Sequence, residues 1–132
     1  IARWIKDFPS DNLAQPIALN VSESWPKTKH DVIFSANTAH IMQPQEVEKM
    51  IASGAGSLPS RGLFCLYGPF MFENTALAKS NLEFNRKLQD LHPGMGIRKF
   101  DDLDVLALAG SMKLLEINSM PANNHLLVWQ KI

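Results

Sequence analysis

The chain has 132 residues, enough for one domain around a modest single core and too few for two. Thirteen basic residues balance thirteen acidic ones, so no overall field draws the chain to nucleic acid or an anionic membrane. At 45% hydrophobic and 20% charged residues the composition is that of an ordinary globular protein, with no run of 18 apolar residues to span a membrane.

The elements follow in order. Ile1, Ile5 and Phe8 share one face of a helix that Pro9 soon ends. That helix begins abruptly at a residue other than methionine, and no signal-peptide pattern precedes it; a processed product or a piece of a longer chain is expected. "IALNV", Ile17 to Val21, reads as a short buried strand, followed by a polar connection broken by Pro26. "DVIFSAN", Asp31 to Asn37, is a second strand that turns polar at its C-terminal end.

Pro44 suits the first turn of the next helix, where its missing donor costs nothing, and Val47, Met50, Ile51 and Gly54 form its inward stripe. "GLFCLYG" is then a nearly continuous apolar strand of the kind covered on both faces. Its Cys65 is the only cysteine; it reads as core packing. The lack of a disulfide framework suits a cytoplasmic or other reducing intracellular setting.

Ser80 and Glu83 have the spacing of a capping box, and Phe84, Leu88 and Leu91 continue that helix until Pro93 and Gly94 stop it. A shorter helix is predicted over Asp102 to Ala109, its early aspartates placed at the positive helix end. "KLLEINSM" and "HLLVWQKI" close the chain as two strands, joined through "PANN" as an antiparallel hairpin. Strands alternating with helices imply an α/β domain with a mostly parallel sheet, finished by an antiparallel pair.

Ligands of open α/β sheets gather beyond the C-terminal ends of the strands. That rule selects "SANTAHIM", "YGPFMFEN" and "MPANN" as parts of one rim. Asn37, Thr38 and His40 offer directional hydrogen bonds to a ligand, or cap the following turn. Tyr67 presents a phenol that either orients a substrate or seals the core edge, and Phe70, Met71 and Phe72 either wall a pocket or pack beside the turn. Asn74 and Asn81 face the same opening in this reading, although Asn81 also suits a structural bond near a helix start. Arg98 either forks onto an acidic ligand group or anchors its loop. Asn123 and Asn124 are a turn or an amide pair at the pocket mouth.

No glycine-rich phosphate loop, paired-acid motif or serine elbow is present, and the four histidines lack zinc-like spacing. "GAGS", Gly54 to Ser57, follows a helix and so has the wrong context for a dinucleotide loop. Trp4, Trp25 and Trp129 are scattered and read as packing.

In combination, "DVIFSANTAHIM", "YGPF", "SNLEFNRKL", "GIRKF" and "MPANNHLLVW" resemble the DUF938, methyltransferase-like 26 family across nearly the whole chain. The resemblance implies a Rossmann-like class I methyltransferase domain using S-adenosylmethionine and no metal. It implies a strand order of 3-2-1-4-5-7-6, with Ile17–Val21 third, Val32–Ser35 fourth and Leu63–Tyr67 fifth. Two earlier strands and a glycine-rich donor loop would precede Ile1, so the chain is expected to be the C-terminal portion of one domain.

By the same resemblance Asn20, Asn37, Thr38 and His40 lie on the cofactor side. Asn20 stands where the family usually carries aspartate, which removes a negative charge beside the adenine. Tyr67, Asn74, Asn81, Arg98, Asn123 and Asn124 match the acceptor side. The acceptor is a small molecule or a protein, with no strong signal for nucleic acid. The alternative is an inactive scaffold or interaction protein, and open sheet edges would favour oligomers.

Overall fold

The computed structural model describes all 132 residues, Ile1–Ile132. In chain order its elements are α1 (Ala2–Asp7), β1 (Val32–Ala36), α2 (Pro44–Ser57), β2 (Leu63–Gly68), β3 (Phe70–Met71), α3 (Lys79–Leu91), β4 (Arg98–Lys99), α4 (Phe100–Ala109), β5 (Met112–Met120) and β6 (Asn124–Lys131). A short 3-10 turn over Pro121–Asn123 joins the last two strands.

The main sheet has the order β1-β2-β6-β5. β1 and β2 run parallel, with Val32 opposite Leu63 and Ala36 opposite Tyr67. β6 runs antiparallel to both β2 and β5. This is the 4-5-7-6 half of the expected order, a mixed sheet closed by an antiparallel pair. β3 and β4 form a separate two-residue parallel pair that fastens Phe70 opposite Arg98.

One sheet face is dry. Phe64, Leu66, Leu127 and Trp129 pack under Val47, Met50, Ile51 and Ala55 of α2 and under Leu103 and Ala107 of α4. Trp129 is fully buried, and its indole N–H donates to Asp104 Oδ1 at 2.8 Å, so the polar tip of the largest core side chain is satisfied. The alternate residues point to the other face, as a period of two demands. There Val32 and Phe34 are left 52% and 63% exposed. The predicted two-sided cover of β2 is therefore uneven, with Leu63, Cys65 and Tyr67 only half-buried.

The helix ends are closed by side chains from distant parts of the chain. Lys29 Nζ donates to the Gly56 carbonyl, and Lys131 Nζ to the Gly110 carbonyl, each at 2.5 Å. Both cations thus meet the negative ends of helices. At the start of α2, Gln43 and Glu46 form a reciprocal capping box, with the Gln43 backbone N–H donating to Glu46 Oε2 at 2.7 Å.

Two sequence expectations are corrected. Ile17–Val21 is not a strand: it has no ladder partner, and Ile17 and Leu19 are 69% and 46% exposed. A mainly apolar five-residue segment becomes a strand only if a neighbour takes its backbone hydrogen bonds, and none does. Val21 and Trp25 instead pack as single residues against the core. The capping box expected from Ser80 and Glu83 does not form, because α3 starts at Lys79 and places Ser80 inside its first turn. Predicted and observed boundaries otherwise differ by a residue or two, as helix ends commonly do.

Candidate functional site

The C-terminal ends of β1 and β2 meet the N-terminal end of β6, because β6 runs the opposite way. Gly68 therefore sits opposite His125, and Ser119 of β5 lies beyond it, also opposite His125. This rim carries the chemistry-bearing residues.

On the β1 side, Asn37 adopts a left-handed backbone (φ 56°), which asparagine tolerates better than most residues. Its N–H donates to the Tyr67 carbonyl at 2.9 Å, so the turn is pinned to β2. A Cβ placed on Gly68 would lie 3.8 Å from Asn37 Oδ1, 3.8 Å from the Phe70 ring and 3.9 Å from His40 Nδ1. Three side chains thus converge on one bare stretch of backbone. Thr38 is committed elsewhere: its hydroxyl and that of Ser35 are 2.6 Å apart, and both lie near Met50 Sδ.

His40 is buried and makes an edge contact with Phe84, with ring centroids 5.3 Å apart. Burial lowers its pKa below the ordinary 6.5, and the Arg98 guanidinium pushes it the same way. Its neutral imidazole is a hydrogen-bonding group rather than a cation at neutral pH. Arg98 binds the loop: Nε donates to the Ala39 carbonyl at 2.9 Å, and Nη2 donates to the carbonyls of Gly94 at 2.7 Å and of Met42. The fork is spent on three backbone acceptors, which closes the 39–42 turn over the segment leading to β4.

On the other side of Phe70 is an open cavity of about 440 Å³, bounded by Phe70, Phe72, Asn81, Met120 and the Asn123–His125 backbone turn. Asn81 is buried and its amide donates to the Asn123 carbonyl at 3.3 Å. Asn124 donates to the Pro121 carbonyl at 3.2 Å, and Ala122 and Asn123 are both left-handed. His125 makes an edge contact with Phe72 at 4.7 Å. Its Nδ1 is enclosed with no hydrogen-bond partner, and burial lowers its pKa.

The structure thus gathers Asn37 and His40 at one corner, and Asn81, Asn123 and Asn124 around the adjoining cavity. Asn20 is exposed and closes its own turn, accepting from the Ser22 N–H at 3.0 Å and donating to Glu23 at 3.2 Å. Asn74 is exposed in a left-handed turn and does not line the cavity. Tyr67 lies on the strand face opposite to Gly68, since neighbours alternate. His125 was not among the residues singled out from the sequence. Its signal was the reversed direction of the last strand, which brings a strand beginning, not an end, to the rim.

No group of three or more histidine, cysteine, aspartate or glutamate side chains is arranged to hold a metal ion, and no helix is long and apolar enough to cross a membrane. The fold recurs in solved structures, methyltransferases among them. LaPhzM superposes with a TM-score of 0.80 at 14% identity, over 98% of this chain and 38% of its own. An O-methyltransferase family 2 protein from Planctomyces limnophilus in complex with apigenin gives 0.74 at 16% identity, over 87% and 33%. CalO1, a methyltransferase of calicheamicin biosynthesis in its SAH-bound form, gives 0.70 at 13% identity, over 87% and 33%. The chain therefore spans between 33% and 38% of the length of these structures. Its fold is that of class I S-adenosylmethionine-dependent methyltransferases. The family profile described as "Protein of unknown function (DUF938)" matches residues 1–131, and the chain belongs to that family.

Proposed function

We propose that this chain serves S-adenosylmethionine-dependent methyl transfer to a small-molecule acceptor, as a methyltransferase-like 26 type of DUF938 protein. The observation that carries the reading is a shared wall. Phe70 faces Gly68 at the Asn37–His40 corner and also lines the neighbouring cavity, so a donor at the first place would adjoin an acceptor at the second. The donor group fits the residues present. Gly68 brings no side chain to this corner, Asn37 Oδ1 and the neutral His40 offer acceptors, and the Arg98 guanidinium is bound to carbonyls. A positive sulfonium there would feel the same Arg98 charge that acts on His40, offset in part by the carbonyl dipoles that the guanidinium binds.

S-Adenosylmethionine, when bound, supplies the activated methyl group, and this chain's residues align donor and acceptor and exclude water. Two of the solved structures support the same chemistry, since CalO1 was solved with SAH and the Planctomyces protein with apigenin. Asn37 and His40 are assigned to the cofactor side, and Asn81, Asn123 and Asn124 to the acceptor side. Asn20, Thr38, Tyr67, Asn74 and Arg98 act by shaping turns and edges.

A second reading, a non-catalytic interaction protein, is favoured by the free edge of β1 and the exposed Val32 and Phe34 beside it. Calorimetry with S-adenosylmethionine and its demethylated product separates the two. It is run on this chain and on a version carrying a glycine-rich donor loop N-terminal to Ile1. The extended protein is expected to bind, with Asn37→Ala weakening binding by about tenfold, the loss of one good hydrogen bond. A folded extended protein that binds neither compound, but associates with itself until Phe34→Lys abolishes it, would replace methyl transfer with the scaffold reading.

A further inference from the structure

The cavity beside Phe70 is selective in its own right. Of its thirteen lining residues, none is lysine, arginine, aspartate or glutamate. A carboxylate, phosphate or ammonium moved into it would lose hydration with no opposite charge to offset the loss. Nucleotides, phosphorylated metabolites and the side chains of basic peptides are disfavoured on that ground alone. Seven of the lining residues are hydrophobic, and the Phe72 ring is held in place by stacking on Phe100 at 5.4 Å. A fixed aromatic wall suits a flat apolar body.

Of the six polar side chains around the cavity, two have their amide nitrogens engaged. The Asn81 amide nitrogen serves the Asn123 carbonyl, and that of Asn124 serves Pro121. His125 is the one ring among the unengaged groups: its Nδ1 is enclosed without a partner, and its Nε2 is the nitrogen that a bound group can reach. A neutral imidazole always carries one donor and one acceptor, so Nε2 can pair with a hydroxyl, which both donates and accepts, in either tautomer. The lowered pKa of His125 keeps the ring in that neutral form.

We propose that this cavity binds an uncharged, flat, apolar molecule bearing a hydroxyl group, with the hydroxyl hydrogen-bonded to His125 and the ring system packed on Phe70 and Phe72. The identification of this ligand as the methyl acceptor rests on the methyl-transfer reading; the cavity's selectivity does not.

Naphthol and naphthoate make a direct test, since they share a ring system and differ in charge. Fluorescence titration should show naphthol binding at least about tenfold tighter than naphthoate. His125→Leu should weaken naphthol about tenfold through loss of its hydrogen bond, with the melting temperature checked in parallel. Met120→Lys adds a cation at a residue that is partly exposed, so it is tolerated by the fold and should shift the preference toward naphthoate. If His125→Leu fails to fold, Met120→Lys decides alone. The assignment is overturned if naphthol does not bind, if naphthoate binds as tightly, if folded His125→Leu binds naphthol unchanged, or if Met120→Lys leaves the ratio where it was. S-Adenosylhomocysteine titrated into the same variants, made in the version extended N-terminal to Ile1, keeps the two proposals apart. Selective naphthol binding without it sinks methyl transfer only, and its binding without naphthol selectivity sinks the cavity assignment only.

Discussion

Arg98 shows how a residue type names a chemistry without choosing its target. A guanidinium near a turn is equally suited to an acidic ligand and to backbone carbonyls, and both roles were open in the sequence. The fold settles its present bonds on Ala39, Met42 and Gly94. Arg98→Met should therefore leave buried acceptors unpaired and cost about 2–4 kcal/mol in chemical denaturation. Arg98→Lys should recover only a fraction, because an ammonium cannot span three carbonyls in a fixed plane. An unchanged unfolding midpoint in Arg98→Met would remove Arg98 from the structural frame. Asn81, Asn123 and Asn124 were selected from the sequence and do meet at one cavity. Their meeting depends on a contact 42 residues apart, which no local pattern contains. His125 escaped notice for the same reason, since its place at the rim is a property of strand direction.

At the scale of elements, local patterns held where one segment suffices to form the structure. Pro44 at the first turn of α2, the apolar run of β2 and the β5–β6 hairpin were all legible. The cap of α2 was missed because glutamine, rather than serine or threonine, fills the first position of the box. Gly54 looked from the sequence like part of an inward stripe, and the structure explains its size: a Cβ there would run into the Phe64 ring. Alanine is the better helix former by about 1 kcal/mol, yet overpacking a core costs about 1–3 kcal/mol. Phe64 is itself fully enclosed, so it cannot swing away. Gly54→Ala is expected to lower stability by up to about 2 kcal/mol net in urea unfolding. A stabilised variant would mean that α2 can shift outward from the sheet, and that their contact is looser than the geometry indicates.

For the whole molecule, acid tests how the rim is tied to the fold. The folded-state pKa values of His40 and His125 lie below the ordinary 6.5, so in that range the unfolded chain binds protons that the folded chain refuses. Stability present above about pH 6.5 should fall as pH drops toward the folded-state values, then level off once both states are protonated. His40 is opposed by Arg98 and enclosed against Phe84, and His40→Gln should flatten the slope between about pH 7 and pH 5. Melting temperatures measured across that range check it; an unchanged slope in both His40→Gln and His125→Leu would show that neither imidazole is coupled to folding.

By itself the sequence determined the class of fold, the order of its main helices and strands, and the family, because periodicity, turn residues and ordered motifs are local properties. Only the tertiary structure decided that Ile17–Val21 forms no strand, that Arg98 is bound to carbonyls, and that an uncharged cavity opens beside His125. Each of these depends on which distant group supplies a hydrogen-bond partner or a packing surface. That choice is made when the chain closes on itself.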